Sequence, residues 1–223
     1  MGNIFITSSG TEIGKTFITT TLLSELKKLE YNTNALKPVA TGFDEKDILK
    51  SDSALLLQAM GLKVNIENIK KITPWRYKKP LSPNITSKLE NKPIVFDELV
   101  KFSQSQKNVD ITLIEGIGGV MVPINNEHTV IDWIEAIEVP VILVVGSYLG
   151  SLSHSLTAIK CLISKKIKII GIIINESENQ PMSQEETAST IEKFTQSIPI
   201  IIFPKVKKGV KIPSLLPLIK KYL

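Results

Sequence analysis

The sequence contains a single cysteine, Cys161, and a single arginine, Arg76, among 223 residues. One thiol cannot form an internal disulfide, which fits a reducing compartment, and we expect a cytoplasmic protein. The longest apolar runs, such as PVILVVG, are far shorter than the roughly 18 residues that a membrane-spanning helix needs. The opening MGNIFITS has no basic segment of the kind that precedes a signal sequence. We therefore expect neither a membrane anchor nor a disulfide-stabilised fold.

Lysine, and almost no arginine, provides the positive charge of the chain. The formal net charge is +5 at pH 7, and lysines scattered over polar segments carry it. Surfaces that bind nucleic acids usually cluster basic residues together with arginine and aromatic side chains. The pattern indicates a solvated lysine-rich surface, and we expect no nucleic-acid partner.

Apolar strand-like segments alternate with helix-like segments along the chain. Strands are predicted at 3–8, 33–39, 110–116, 139–146, 168–175 and 198–203, and helices at 15–30, 52–60, 96–106, 150–165, 184–196 and 214–223. Residues 61–92 read as irregular. Nearly continuous Val, Ile and Leu runs predict strands buried on both faces, hence one doubly wound, mostly parallel α/β domain over 1–223. Ligands of such sheets bind beyond the carboxyl ends of the strands.

The turn after the first strand ends in Gly14-Lys15-Thr16, like a phosphate-binding loop. The standard pattern G-x-x-x-x-G-K-[ST] has glycine where this chain has Ser9. The position between a strand and a helix favours a nucleotide site, because backbone N–H groups can converge there on phosphate oxygens. Lys15 would then neutralise phosphate charge and Thr16 would ligate Mg²⁺. The alternative is an ordinary strand–helix turn.

Two carboxylates suggest a magnesium site. Glu115 ends the strand ITLIE where a Walker B acid would stand, although Asp is the usual residue there. Asp52 begins a predicted helix. Mg²⁺ prefers a few hard oxygen ligands with phosphate and water, so Thr16, Asp52 and Glu115 form a suitable set. Alternatively, Asp52 is only a helix cap, and the glycines of GIGG after Glu115 only make a tight turn.

Polar residues end other strands as well. Pro38 keeps Lys37 extended at the carboxyl end of the second strand, which makes Lys37 a candidate catalytic group. Asn175 could read an adenine edge with its carboxamide, or be a turn residue. We interpret His154 as a capping or packing residue and Cys161 as a core residue.

In order along the chain stand the segments GTEIGKT, KPVATG, SDSALLLQ, PLSPN, IEGIGGVMVPI, DW, VILVVG, LGSLSH and IIIN. Together, and at these distances, they resemble the dethiobiotin synthetase family. In that family's loop the first glycine comes one position earlier than in the standard pattern. By this resemblance Ser9 breaks no family rule, whereas Ser8 stands where glycine is expected. Tyr148 replaces a lysine of many relatives, and Ser153 an asparagine that often precedes His.

The resemblance implies an ATP- and Mg²⁺-dependent cyclo-ligase of biotin biosynthesis. It would close the ureido ring of dethiobiotin from 7,8-diaminopelargonate and CO₂ or bicarbonate, through a carbamate and a carbamic–phosphoric anhydride. It implies catalytic roles for Thr11, Lys15 and Lys37, and a homodimer with the substrate site at its interface.

The resemblance also implies three sets of ligand contacts. Those for the nucleotide are Glu12, Ile13, Gly14, Lys15, Thr16, Phe17, Asp52, Glu115, Gly116, Ile117, Gly118, Asn175, Glu176, Pro204, Lys205 and Val206. Those for the substrate are Thr11, Glu12, Thr41, Gly150, Ser151 and Ser153. Those for the metal are Thr16, Asp52 and Glu115.

Two alternatives to a synthetase remain open. The first is another amidoligase-like P-loop enzyme, although such enzymes usually have a much longer chain with a glutaminase domain. The second is a nucleotide switch like ParA or MinD. A switch of that kind carries a signature lysine where this chain has Gly10, and an Asp where it has Glu115.

Overall fold

The computed structural model describes residues 2–106, 108–195, 197–206 and 210–223. In chain order its elements are β1 (Gly2–Ser8), α1 (Lys15–Lys28), β2 (Thr33–Leu36), β3 (Val39–Thr41), α2 (Asp52–Met60), α3 (Ile66–Ile72), β4 (Trp75–Tyr77), α4 (Pro83–Leu89), α5 (Phe96–Gln104), β5 (Ile111–Glu115), α6 (Val130–Ile137), β6 (Val141–Gly146), α7 (Ser151–Ser164), β7 (Ile169–Asn175), α8 (Gln184–Thr195), β8 (Ile200–Phe203) and α9 (Leu216–Ile219). Within these ranges no helix is both long and apolar enough to cross a bilayer.

Six strands form one parallel sheet in the order β2-β5-β1-β6-β7-β8. The chain moves from β1 to β2 and β5 on one side, and then to β6, β7 and β8 on the other. The direction of winding therefore reverses next to β1, and the loops after β1 and β5 lie side by side at the carboxyl edge. This topology confirms the predicted doubly wound parallel sheet, and such a reversal point is where ligands usually bind.

The central strands of the sheet are buried: Ile, Val and Leu dominate β5, β6 and β7, and β1 contributes Ile4, Phe5 and Ile6. Every residue of β5 and β6 is buried. Trp133 of α6 packs edge-on against Phe5 of β1, with ring centroids 4.8 Å apart. Its indole N–H donates to the Ser103 hydroxyl at 3.0 Å, which satisfies a polar group that would otherwise be costly to bury.

The strand predicted at 33–39 is divided in two. Pro38 has no N–H for a sheet ladder, and the chain leaves the main sheet there. Val39–Thr41 then pairs in parallel with Trp75–Tyr77 as a separate two-stranded sheet. Lys37 lies at the junction, and its backbone N–H donates to Ile72 O at 3.0 Å.

The prediction of irregular structure for 61–92 is wrong in part, because this segment contains α3, β4 and α4. The local signals were present but short: Asn65 caps α3 by accepting from Asn68 N at 2.8 Å, and Pro83 occupies the first turn of α4. The sequence analysis also missed α6. The helix predicted at 214–223 is shorter, since α9 ends at Ile219 and a 3-10 turn follows at Lys220–Tyr222.

A capping box begins α6. The Asp132 carboxylate accepts from the backbone N–H and the hydroxyl of Thr129, at 2.8 and 2.7 Å, and lies 3.3 Å from Lys165 Nζ. Burial alone would raise the pKa of Asp132, but the Thr129 hydrogen bonds and the Lys165 ammonium outweigh it and lower that pKa. The carboxylate therefore stabilises the fold in its charged form.

We expect Asp132→Ala to lower the free energy of unfolding by about 1 kcal/mol at neutral pH, because the cap is lost. Since the folded-state pKa is lowered, the difference from the parent chain should be fully present above the ordinary Asp pKa of about 4 and shrink as pH falls below it. Urea titrations between pH 7 and pH 3 measure this. Glu135→Ala is the control, because Glu135 also binds Lys165, at 2.7 Å, but caps no helix. Equal losses in the two variants would contradict the capping role.

Candidate active site

A cleft opens at the carboxyl edge of the sheet, between the loop after β1, the end of β2 and the segment after β5. Its volume is about 590 Å³. Most of the residues that line it were predicted as site residues: Thr11, Glu12, Gly14, Lys15, Thr16, Phe17, Lys37, Thr41, Asp52, Glu115, Ile117 and Gly118. Ala40, Leu55 and Pro80 line it too and were missed. They are apolar, so nothing in their chemistry distinguishes them from core residues.

The loop between β1 and α1 adopts a backbone that requires glycine at position 14. Gly14 has φ +96°, and a Cβ there would collide with the Asn175 side chain. The Asn175 amide fixes the same turn by donating to Ile13 O at 2.9 Å. Within the described chain no side chain caps the first turn of α1, so its backbone N–H groups face the cleft without a side-chain acceptor. Such a helix start is suited to bind an anion.

Lys15 is buried at the floor of this loop. Its ammonium lies 3.0 Å from Ser8 Oγ, 3.0 Å from Gly118 O and 3.4 Å from Gly10 O. Burial, reinforced by the nearby Lys37 charge, lowers the pKa of Lys15 to about 8, although Glu115 and Asp52 act in the opposite direction. Because these three contacts are with uncharged oxygens, they leave the positive charge available to an anionic ligand.

A second ammonium, that of Lys37, connects the ends of three elements. Its Nζ lies 2.7 Å from Glu115 Oε1, 2.9 Å from Gly116 O and 3.4 Å from Asp52 Oδ2. Burial alone would lower the pKa of Lys37, but the Glu115 and Asp52 carboxylates outweigh it and raise the pKa above its usual value. Lys37 is therefore charged at neutral pH, and it compensates part of the negative charge of the two acids.

The chemistry of the acids fits a hard divalent cation. Glu115 Oε1 accepts from Thr16 Oγ1 at 2.8 Å, whereas the buried Oε2 has no hydrogen-bond partner in the described chain. An unpartnered buried carboxylate oxygen is costly unless a cation or a donor reaches it. Among the described residues no three His, Cys, Asp or Glu side chains cluster as a metal cage. Two carboxylates and a hydroxyl suit Mg²⁺, which keeps several waters and binds phosphate as well.

Asp52 is not the cap of α2, which removes one of the two readings that the sequence left open. Ser51 performs that role, since its hydroxyl accepts from Ala54 N at 3.2 Å. The Asp52 side chain is about half exposed, at 49%, and points its carboxylate to Lys37 at the cleft.

Of the remaining nucleotide candidates, Gly116 contacts Lys37, whereas Ile13, Asn175 and Glu176 lie on the far side of the loop. Asn175 and Glu176 line an adjoining cleft together with Gly10–Ile13 and Tyr148. The segment after β8 is joined to it, because Lys205 N donates to Glu176 Oε2 at 2.8 Å. Phe17 packs edge-on against Phe203, with centroids 5.5 Å apart, and so connects α1 to the end of β8.

Gly150, Ser151 and Ser153 are not brought into the main cleft. They begin α7, beside the very exposed Leu149, whose relative exposure is 84%. His154 Nδ1 and the Tyr148 hydroxyl share a hydrogen bond of 2.8 Å. Cys161, predicted as a core residue, is only partly buried and packs against the border of the core.

Comparison with known proteins adds to this geometry. A family model described as an AAA domain matches residues 2–210. The ATP-dependent dethiobiotin synthetase BioD of Acidiphilium cryptum is 39% identical over 206 residues, which are 91% of this chain and 92% of that protein. The protein of the same name from Methylobacterium nodulans is 36% identical over 86% of this chain and 89% of its own length.

Solved structures with similar folds include a MinD protein and a chain of a MinC:MinD complex. The Pyrococcus horikoshii MinD complexed with Mg-ADP has a TM-score of 0.53 and 17% identity, covering 99% of this chain and 84% of that one. A chain of the MinC:MinD cell division protein complex of Aquifex aeolicus has a TM-score of 0.54 and 16% identity, covering 100% of this chain and 86% of that one. At such low identity these two likenesses concern the fold alone. The sequence relatives are far closer, and by them this chain belongs to the ATP-dependent dethiobiotin synthetase family.

Proposed function

We propose that this chain is an ATP-dependent cyclo-ligase of biotin biosynthesis that makes dethiobiotin from 7,8-diaminopelargonate, CO₂ and ATP. The observation that carries the proposal is the 39% identity to a dethiobiotin synthetase along nearly the whole chain. The cleft supports it, since two buried ammonium groups and two carboxylates lie where a phosphoryl group could be transferred. We also propose a single domain and a cytoplasmic location.

In this proposal the loop after β1 binds the phosphates of ATP. The uncapped N–H groups of α1 and the Lys15 ammonium would contact the phosphate oxygens. Asn175, Glu176 and Pro204–Val206 would hold the base. Because Asn175 Nδ2 already donates to Ile13 O, its carbonyl oxygen is left to accept from an exocyclic amine of the base.

Thr16, Asp52 and Glu115 would hold Mg²⁺ beside the phosphates. The unpartnered Oε2 of Glu115 supports this assignment. When bound, the ion would neutralise charge on the phosphate oxygens and orient them. The Thr16 hydroxyl is held by Glu115 Oε1 and so faces the same point as the acids.

Lys37 is the residue we assign to the chemical steps. An amine of the substrate adds to CO₂ and loses a proton, which gives a carbamate. A carbamate oxygen then attacks the γ-phosphorus and displaces ADP, and the second amine attacks the carbonyl carbon and releases phosphate. Negative charge develops on oxygens throughout, and fixed ammonium groups in a buried cleft stabilise it strongly. Thr11, Glu12 and Thr41 line the cleft and would position the diamine.

Gly150, Ser151 and Ser153 fit a site shared between two subunits. They lie outside their own chain's main cleft, at the start of a 14-residue helix that no described side chain caps. Such a helix start suits the carboxylate of the substrate. We therefore propose a homodimer in which this segment reaches the substrate bound to the partner.

The first test separates a synthetase from a nucleotide switch. We expect ureido product only when 7,8-diaminopelargonate, bicarbonate and MgATP are all present, with phosphate released in equal amount. Product is measured by mass spectrometry and phosphate by a colorimetric assay. Slow ATP hydrolysis that does not depend on the diamine would indicate a switch instead.

A second test concerns Lys37. We expect Lys37→Met to lower kcat by at least about 100-fold, because charge on the transferring group loses its stabilisation, while ATP affinity changes only a few-fold. Lys165→Met is a matched control: Lys165 also bridges two carboxylates, at 2.7 and 3.3 Å, but on the surface. Steady-state kinetics and calorimetry provide the two quantities. The catalytic role would be contradicted if Lys37→Met lost affinity for ATP but retained the kcat of the parent chain.

A third test concerns the start of α7. Gly150 has φ +90° and open space around it, and Asp and Asn tolerate such a backbone about equally. We expect Gly150→Asp to raise the KM for the diamine about tenfold through repulsion of its carboxylate, and Gly150→Asn to raise it much less. The KM for ATP should not change in either variant. Equal diamine KM values in the two variants would argue against a role of α7 in substrate binding.

A further inference from the structure

Ser8 is the last residue of β1, and its side chain is completely buried beneath the loop that follows. Its hydroxyl lies 2.5 Å from Gly10 O, 2.9 Å from Gly118 O and 3.0 Å from the Lys15 ammonium. One side chain thus contacts the loop after β1, the segment after β5 and the lysine between them. None of the roles proposed above uses this hydroxyl.

The number of donors at this point exceeds what the two carbonyls need. The Ser8 hydroxyl has one proton to donate and can accept at the same time, and the Lys15 ammonium has three protons. Gly118 O is within reach of both groups, at 2.9 and 3.0 Å. Gly10 O is also within reach of both, but it is much closer to Ser8, at 2.5 Å, than to Lys15, at 3.4 Å.

The contact between Lys15 and Gly10 O is therefore the weakest of the three that hold the ammonium. Lys15 can redirect the N–H that points to Gly10 O to a phosphate oxygen, while the Ser8 hydroxyl continues to donate to Gly10 O. The ammonium stays anchored by the Ser8 lone pair and by Gly118 O. Without the hydroxyl the same turn would leave the partly buried Gly10 carbonyl without a donor, which costs free energy.

We propose that Ser8 is a positioning residue for the nucleotide: its hydroxyl anchors the Lys15 ammonium and substitutes for it at Gly10 O when Lys15 contacts phosphate. The inference rests on the proposed function, because it takes ATP as the ligand. Ser8 itself touches neither substrate. Its effect is transmitted through Lys15, so it concerns the affinity for ATP and not for the diamine.

The test compares ATP binding to the parent chain with binding to two variants without the hydroxyl. Ser8→Ala and Ser8→Gly should both raise the Kd of MgATP about tenfold by calorimetry, within the range expected when a partly buried acceptor loses its donor. Their KM for ATP should rise by a similar factor, while the KM for the diamine stays within about twofold. Agreement between the Ala and Gly variants assigns the effect to the hydroxyl and not to the backbone.

Thr7→Val is the matched control. Thr7 precedes Ser8 on the same strand and is equally buried, but its hydroxyl has no partner in the described chain. This variant loses a buried hydroxyl without loss of a contact, so its ATP affinity should equal that of the parent. Ser8→Thr keeps the hydroxyl and should bind ATP more tightly than Ser8→Ala. Unfolding curves of each variant establish that it is folded.

Unchanged or tighter ATP binding in both hydroxyl-free variants would overturn the proposal, and tighter binding would mean that Ser8 competes with phosphate for Lys15. Equal increases in the KM for ATP and for the diamine would also overturn it, because they indicate a general distortion of the cleft. A parent chain that binds no MgATP would instead refute the proposed function itself.

Discussion

The buried contact between Lys37 and Glu115 is the interaction on which the rest of the cleft depends. The ammonium and the carboxylate lie 2.7 Å apart, with side-chain exposures of 5% and 0%. Neither charge could be buried alone without a penalty of several kcal/mol. Since Glu115 ends β5 and Lys37 follows β2, the pair requires these neighbouring strands to end at the same level. It also constrains the positions of Thr16 and Asp52, because Thr16 donates to Glu115 and Asp52 contacts Lys37.

This dependence explains why so much of the site could be predicted from the sequence and why its central contact could not. The strand ends and the glycine-lysine turn are local features, visible as apolar runs followed by polar residues. The Lys37–Glu115 pair arises from the order of the strands, in which β5 lies between β1 and β2. Lys37 and Glu115 are 78 positions apart, and no local pattern around either residue shows that their strands are neighbours. The assigned roles of these residues stay predictions.

The errors in the predicted elements have a similar cause. The helix α6 and the short elements between 61 and 92 have only two turns or fewer of apolar periodicity, and their caps provide the clearest signal. Caps such as Thr129 with Asp132 occur equally in loops, so they are informative only once the neighbouring packing is known. The buried central strands of the main sheet carry no such ambiguity, because their composition reflects burial on both faces.

The unusual loop sequence also has a structural explanation. Within the loop after β1, only Glu12 and Gly14 among the described residues have positive φ, at 58° and 96°. Ser9 therefore needs none of the conformational freedom that glycine provides. The loop approaches the segment after β5 closely, and there the small residue is Gly119: a Cβ on it would lie 3.2 Å from Ser9 O and Gly10 N. The loop therefore needs glycine at position 14 but not at positions 8 and 9, where Ser8 and Ser9 carry hydroxyls.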